Sequence, residues 1–334
     1  MKLEGLLPRA IALLALLAAG VLTSEGRVLA QQGPFLTATY VAELPVGEPG
    51  SPALAKTAAS EVPLIPQSGV MPALRQGSVA KVTVRALHDN ERLAVLMSWQ
   101  DPTRDVLTGH PDQFRDAAAI MFPVSQGVPN ICMGAAGQTT NLWHWKADWQ
   151  QDIDKGFQDV VDAYPNFYKD VYPFATGSPP FRMPQDFSSP EAKSYLVGLS
   201  AGNPLSQPVK LTPVEELVAQ GFGTAAHKSA QAVVGRGEWI NGTWRVVFSR
   251  SLSPADREAT DLSSRKDVPV AFAVWDGSDQ QVGARKQLSS FFTLALGGED
   301  SGPFPPVVWL LVTLVFVGVV WMSVIGIGNR PGRT

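Results

Sequence analysis

From residue 79 onward, apolar and polar positions alternate with the period of two that is typical of β-strands. Val82, Val84 and Ala86 alternate with polar neighbours, and residues 93–99 form a mostly apolar run. The polar stretch 89–92 separates the two runs, so the pattern predicts a β-hairpin. Further strands are predicted at residues 117–122, 232–240, 243–249, 270–275 and 288–296.

Seven or eight short strands separated by turns predict a mainly β protein, and we expect an antiparallel, immunoglobulin-like β-sandwich over residues 79–300. Asn241-Gly242, between two apolar runs, is typical of a tight hairpin turn. Residues 150–225 show little periodicity and predict a partly helical insertion. Within it, Thr212-Pro213 resembles the start of a helix. Residues 31–78, rich in Pro, Ala, Gly and Ser, are interpreted as an extended lead-in.

The N-terminal residues 1–30 have the pattern of a secretory signal peptide. A basic flank precedes an apolar run at 10–22, and Val28-Leu29-Ala30 offers small residues at a cleavage site. An uncleaved anchor is the alternative interpretation, but a run of about 13 residues is too short to cross about 30 Å of hydrocarbon.

The C-terminal region has a longer apolar segment. Residues 307–328 carry no charged side chain, and two arginines follow directly. Such a length spans a bilayer, and we expect a transmembrane helix at 305–328. The positive-inside rule places the tail 329–334 in the cytoplasm and the preceding domain on the extracytoplasmic side of the cytoplasmic membrane.

Composition excludes several classes of function. A formal charge of −3 argues against binding to nucleic acid. Cys132 is the single cysteine, which excludes a disulfide framework, a cysteine-held iron–sulfur cluster and covalently attached haem. Common hydrolase and nucleotide-binding motifs are missing from the sequence, and its four histidines are scattered, so no catalytic residue is predicted.

Six short motifs in a fixed order resemble a known family. They are Trp99-Gln100-Asp101, Phe114-Arg115-Asp116-Ala117-Ala118, Cys132-Met133-Gly134, Asn141-Leu142-Trp143-His144-Trp145-Lys146, the stretch 239–250 and Ala273-Val274-Trp275-Asp276-Gly277. By residue type alone, the tryptophans would be core-filling side chains. The ordered set is similar to the haem b-binding γ subunits of periplasmic type II DMSO-reductase-like molybdoenzymes. That family includes ethylbenzene dehydrogenase, dimethylsulfide dehydrogenase, chlorate and selenate reductases, and nitrite oxidoreductases.

The resemblance implies a β-sandwich that binds one non-covalent haem b between a methionine and a lysine. It assigns the thioether ligand to Met133, and by position in the family pattern it favours Lys228 as the amine ligand. Lys146 and His227 remain alternatives for that second ligand. A lysine binds iron only as the neutral amine, so an apolar pocket must lower its pKa. Trp99, Trp143 and Trp145 are the expected walls of that pocket.

The function that the resemblance implies is non-catalytic electron transfer. The haem would relay electrons between the iron–sulfur subunit of a molybdopterin oxidoreductase and a c-type cytochrome or a membrane carrier. A nitrite oxidoreductase or nitrate reductase is a plausible context. Two alternatives remain open on sequence alone: an exported, membrane-anchored carbohydrate-binding β-sandwich, in which tryptophans stack on sugars, and a purely structural anchor subunit.

Overall fold

The structure is a computed structural model that describes residues 35–69, 71–158, 160–166, 190, 197–265 and 267–298. The strands found there are β1 (Phe35–Tyr40), β2 (Ser60–Pro63), β3 (Ile65–Pro66), β4 (Lys81–His88), β5 (Arg92–Gln100), β6 (Ala117–Pro123), β7 (Thr140–Lys146), β8 (Val214–Ala219), β9 (Ala226–His227), β10 (Val234–Trp239), β11 (Thr243–Ser251), β12 (Asp267–Trp275), β13 (Gln287–Leu288) and β14 (Phe292–Leu296). The helices are α1 (Pro52–Lys56), α2 (Ala147–Lys155), α3 (Val160–Ala163), α4 (Val197–Ser200) and a 3₁₀ turn at Pro204–Ser206.

The two predicted membrane-directed segments, 1–30 and 305–328, lie outside the described residues, as does the tail 329–334. Within the described ranges, no helix is both long enough and apolar enough to cross a bilayer.

The strands form one continuous hydrogen-bonded path in the order β10-β11-β5-β4-β1-β14-β12-β6-β7-β8-β9. Strand β12 joins two halves of this path. Its first residues pair with β14, and residues 271–275 pair with β6. The two halves face each other across a shared core, because Trp145 of β7 contacts Trp99 of β5 and Trp244 of β11. The arrangement is consistent with the predicted β-sandwich.

Both predicted hairpins are confirmed. Strands β4 and β5 pair antiparallel, and so do β10 and β11. Asn241 and Gly242 both have positive φ angles, 50° and 73°. That backbone conformation is the one a two-residue hairpin turn of this hand requires, which explains the Asn-Gly pair.

The structure differs from the prediction in the sheet's centre. Strand β1 pairs parallel with both β14 and β4, so the sheet is mixed rather than purely antiparallel. Leu36 of β1, Leu54 of α1 and Val62 of β2 are buried. The described part of the expected lead-in is thus built into the sandwich. Its Pro- and Gly-rich composition hid short strands that only long-range pairing stabilises.

The predicted helix at Thr212-Pro213 is wrong. Residues 214–219 form β8, which pairs antiparallel with β7. The Val-Glu-Glu-Leu sequence suits a helix by propensity, but Glu216 is fully buried on the sheet. Its side chain is paired there with cations from elsewhere in the chain, and such tertiary partners override local propensity.

Candidate functional site

Strands β12, β6, β7, β8 and β9 form a half-sheet with two unlike faces, because side chains alternate along each strand. We call the side that packs into the sandwich its core face. It carries Phe272 of β12, Ile120 of β6 and Trp143 of β7. We call the opposite side its outer face. It carries Met121 of β6 and Leu142 of β7, together with other apolar residues.

The tryptophans of the sequence motifs lie on the core side. Trp99 and Trp145 have ring centroids 6.4 Å apart, and Trp244 lies 4.9 Å from Trp145. A Cβ added at Gly237 would lie 2.2 Å from the Trp145 ring, so the backbone is already pressed against it. Trp143 packs on Phe122 at 4.8 Å. This geometry favours core packing for Trp99, Trp143 and Trp145 over lining of a cofactor pocket.

Lys228, the preferred amine ligand, also points to the core face. Its Nζ donates to Glu216 Oε1 at 2.8 Å and pairs with Asp256 Oδ2 at 2.9 Å, and the lysine is 1% exposed. Glu216 also pairs with Arg250, whose guanidinium lies 5.0 Å from the Trp143 ring centre. The amine of Lys228 is thus already engaged by two carboxylates inside the core, rather than open to a cofactor.

The two alternative ligands, Lys146 and His227, share one carboxylate. Lys146 Nζ donates to Glu215 Oε2, and His227 Nδ1 lies 2.9 Å from Glu215 Oε1. The Lys146 ammonium also lies 3.9 Å from the Trp149 ring centre. Burial lowers the pKa of Lys146, but Glu215 acts in the opposite direction. Both side chains are therefore occupied by an ionic partner on the outer face.

Met133 reaches the outer face from the loop between β6 and β7. Its backbone has φ +66°, and its carbonyl accepts from Gly221 N at 2.9 Å and Thr140 Oγ1 at 3.1 Å. The following Gly134 is required, because a Cβ there would lie 2.1 Å from the Gln138 carbonyl oxygen. The side chain of Met133 packs with the apolar cluster of Met121 and other outer-face residues. The Met-Gly motif thus fixes a thioether on this face.

The outer face beside Met133 carries several small side chains. Four small side chains of β6 and β12 lie on it: Ala117, Ala119, Ala271 and Ala273. The large ring of Trp275 stands at the end of this patch, 4.8 Å from the His144 ring. Alanines in register on two neighbouring strands leave room for a planar apolar group to lie against the sheet.

Lys286, which the sequence-based reasoning did not single out, lies on this same face. It stands two positions before Leu288, which pairs with Ala273, so residue 286 shares the outer face. Its Nζ lies 5.1 Å from the Trp275 ring centre. Burial lowers the pKa of Lys286, and the nearby Cys132, next to Met133 in the chain, is the group that opposes this shift.

Among the described residues, Lys286 has no hydrogen bond or ion pair through its amine. His144 on the same face has an Nε2 atom that is shielded from water and has no partner within the part of the chain described here. Burial lowers the pKa of His144 well below its usual value. A soft sulfur, a desolvated free amine and an unpartnered imidazole nitrogen around an alanine floor fit a haem, whereas the core face does not. The sequence signal for Lys286 was only its place before a predicted strand.

Comparisons with known proteins identify relatives of this chain. A protein of Haloferax mediterranei, named as the proposed haem subunit of a respiratory nitrate reductase, is 26% identical over 317 residues, covering 91% of this chain and 92% of that protein. The chlorate reductase γ subunit of Ideonella dechloratans is 25% identical over 60% of this chain and 58% of its own length. The dimethylsulfide dehydrogenase γ subunit of Rhodovulum sulfidophilum is 27% identical over 67% and 63%.

Among solved structures, a family 9 carbohydrate-binding module of Caldicellulosiruptor kristjanssonii covers 81% of this chain and 99% of its own length. Its TM-score is 0.35 at 10% identity, so it carries no argument about function. The model of the family described as "Ethylbenzene dehydrogenase" matches residues 51–287, more than half of the chain. The motifs, the mainly β fold and the relatives therefore converge, and this chain belongs to the ethylbenzene dehydrogenase family.

Proposed function

We propose that this chain is the electron-transfer γ subunit of a molybdenum oxidoreductase, and that it binds one non-covalent haem b on its outer face through Met133 and Lys286. The observation that carries the proposal is the pairing of a fixed thioether with a desolvated amine that has no carboxylate partner in the described part of the chain. Two of the relatives named above are γ subunits of such enzymes, and a third is named as a haem subunit.

The chain's own residues account for the ligand chemistry. Met133 presents a soft sulfur, which favours ferrous iron and a higher reduction potential. Burial favours the neutral amine of Lys286, and only that form donates a lone pair. The alanines of β6 and β12 and the ring of Trp275 exclude water from the site. When bound, the haem would supply reversible one-electron chemistry.

The proposal extends to partners and location. An iron–sulfur subunit and a molybdopterin catalytic subunit would exchange electrons with this chain on one side, and a c-type cytochrome or membrane carrier on the other. A nitrate reductase complex is the context that the Haloferax relative supports, and a nitrite oxidoreductase complex is the alternative. The domain would be exported and anchored by residues 305–328, with the C-terminus in the cytoplasm.

Absorption spectroscopy of the full chain, produced with haem available, tests the ligand assignment. The dithionite-reduced protein should show a sharp low-spin b-type α band. Met133→Ala and Lys286→Ala should each abolish that band or convert it to a high-spin spectrum. The matched controls Lys228→Met and Lys146→Met should keep the wild-type spectrum, because their amines are paired with carboxylates.

Two outcomes would contradict the proposal. If Lys228→Met, and not Lys286→Ala, changes the coordination of a folded chain, the core-face lysine is the ligand. A folded wild-type chain that stays colourless on haem titration would instead favour a carbohydrate-binding or anchoring role. Circular dichroism of each variant separates loss of a ligand from loss of the fold.

A further inference from the structure

Three aspartates lie close together next to the termini of three strands, away from the outer face. Asp101 follows β5, Asp116 precedes β6 and Asp276 follows β12. Their side chains are 1%, 0% and 3% exposed. One carboxylate oxygen from each lies within 4.8 Å of the other two.

The backbone segments that carry these aspartates pack closely against one another. Gly277 N donates to Asp116 Oδ1 at 2.9 Å. A Cβ added at Gly277 would lie 2.1 Å from the Phe114 carbonyl oxygen, so no larger residue fits there. Asp105 N and Trp244 Nε1 donate to Asp116 Oδ2 at 2.8 and 2.9 Å. The position of Asp116 is thus fixed from three sides.

The two carboxylate oxygens of Asp101 differ in their hydrogen bonds. Its Oδ1 accepts from the backbone N and the hydroxyl of Thr103 at 3.1 and 3.2 Å. Its Oδ2 is shielded from water and has no donor among the described residues. A buried acceptor without a donor is costly, so this oxygen is a ready ligand for a cation or a proton.

The cluster also has no cation of its own within the part of the chain described. No lysine, arginine or histidine there forms an ion pair with Asp101, Asp116 or Asp276. The adjacent Arg104 is directed to Gln151 Oε1 at 3.1 Å. Buried carboxylates this close cannot all remain ionised without compensation, so either protons or a bound cation must neutralise them.

We propose that Asp101, Asp116 and Asp276 bind one Ca²⁺ ion that ties together the ends of β5, β6 and β12. Carboxylate oxygens are the ligands that hard cations prefer, and Ca–O distances of about 2.3–2.6 Å let one ion reach oxygens 4.8 Å apart. The unpartnered Oδ2 of Asp101 is the ligand atom that the protein leaves open for it. This structural site is independent of the proposed haem.

Metal analysis of the full chain, purified without chelator and with Ca²⁺ present, gives the first test. We expect about one Ca²⁺ per chain after exhaustive buffer exchange. Treatment with EDTA should lower the melting temperature by at least about 5 °C relative to protein with a hundredfold excess of Ca²⁺ over its dissociation constant. Tb³⁺ bound at the site should show sensitised luminescence, because the Trp244 indole donates directly to Asp116.

Asp101→Asn is the informative variant, since it keeps the size of the side chain and removes its charge. It should abolish the Tb³⁺ signal and the Ca²⁺-dependent rise in melting temperature. Asp112→Asn, an exposed carboxylate in the same connection, should leave both unchanged. A wild-type chain that retains no metal, gives no Tb³⁺ signal and melts identically in EDTA and Ca²⁺ would overturn the proposal and assign the neutralisation to protons. If Asp101→Asn fails to fold, the wild-type measurements still decide.

Discussion

Lys228 and Lys286 lie on opposite faces of the same half-sheet and differ in their partners. Lys228, on the core face, is held by Glu216 and Asp256 and is 1% exposed. Lys286, on the outer face, stands beside Trp275 and has no carboxylate partner within the described residues. Burial alone is therefore a poor guide to function. The partner of a buried lysine decides whether its amine is held in an ion pair or is open to a further ligand.

The largest effect on stability should come from the core-face lysine. Within the described part of the chain, Lys228→Met leaves Glu216 with Arg250 as its one remaining cation, at 3.4 Å, and should lower the free energy of unfolding by about 3 kcal/mol. Lys286→Met should change the free energy of unfolding of the haem-free chain by less than about 1 kcal/mol, because among the described residues it breaks no ion pair and only a 5.1 Å contact with the Trp275 ring. Urea unfolding at neutral pH measures both. Equal losses in the two variants would refute the contrast.

A pair of alanine substitutions sharpens the contrast between the faces. Ala118→Leu enlarges a fully buried core-face residue and should destabilise the fold by about 1–3 kcal/mol. Ala273→Leu enlarges a partly buried residue on the outer-face floor and should cost less stability while weakening haem binding at least tenfold. Haem titration and urea unfolding of both variants separate the two effects. Unchanged haem affinity in Ala273→Leu would place the cofactor elsewhere.

A further comparison concerns the aspartate cluster, whose carboxylates have no cation partner among the described residues, as Lys286 has no anion partner there. Without metal, burial, and then the neighbouring Asp276, raise the pKa of Asp101 to about 6, and burial together with Asp101 raises that of Asp116 to about 8. Both values lie above the unfolded value of 3.8, so the folded state binds more protons than the unfolded state. The stability of EDTA-treated protein should therefore fall as pH rises from about 4 through 8.

The same unfolding measurements with Ca²⁺ present serve as the control for that trend. A bound ion would keep the carboxylates ionised in the folded state and flatten the pH dependence between pH 5 and 8. Identical slopes with EDTA and with Ca²⁺ would show that no ion enters the cluster.

Local patterns were sufficient for the parts of the fold that local forces specify. The alternation in β4 and β5 and the Asn241-Gly242 turn predicted both hairpins correctly, because side-chain period and turn conformation are local properties. The Met-Gly motif singled out Met133, and the loop that holds it has a close backbone approach that requires the following glycine. Local patterns failed at β1 and β8, where long-range pairing and the burial of Glu216 override propensity.

The amino-acid sequence by itself thus determined the mainly β class, the family and the thioether candidate. Only the tertiary structure decided which lysine lacks a carboxylate partner among the described residues. The face on which a side chain lies and the ion pairs that it forms both depend on segments far apart in the chain. Lys286 lies more than 150 residues from Met133 in the sequence. The register of β12 and β13 nevertheless puts both residues on the outer face. Lys228 is satisfied by Glu216 across the β8–β9 pair. The fold decides whether a lysine has an ion-pair partner, since the groups that compensate its charge are its neighbours in space.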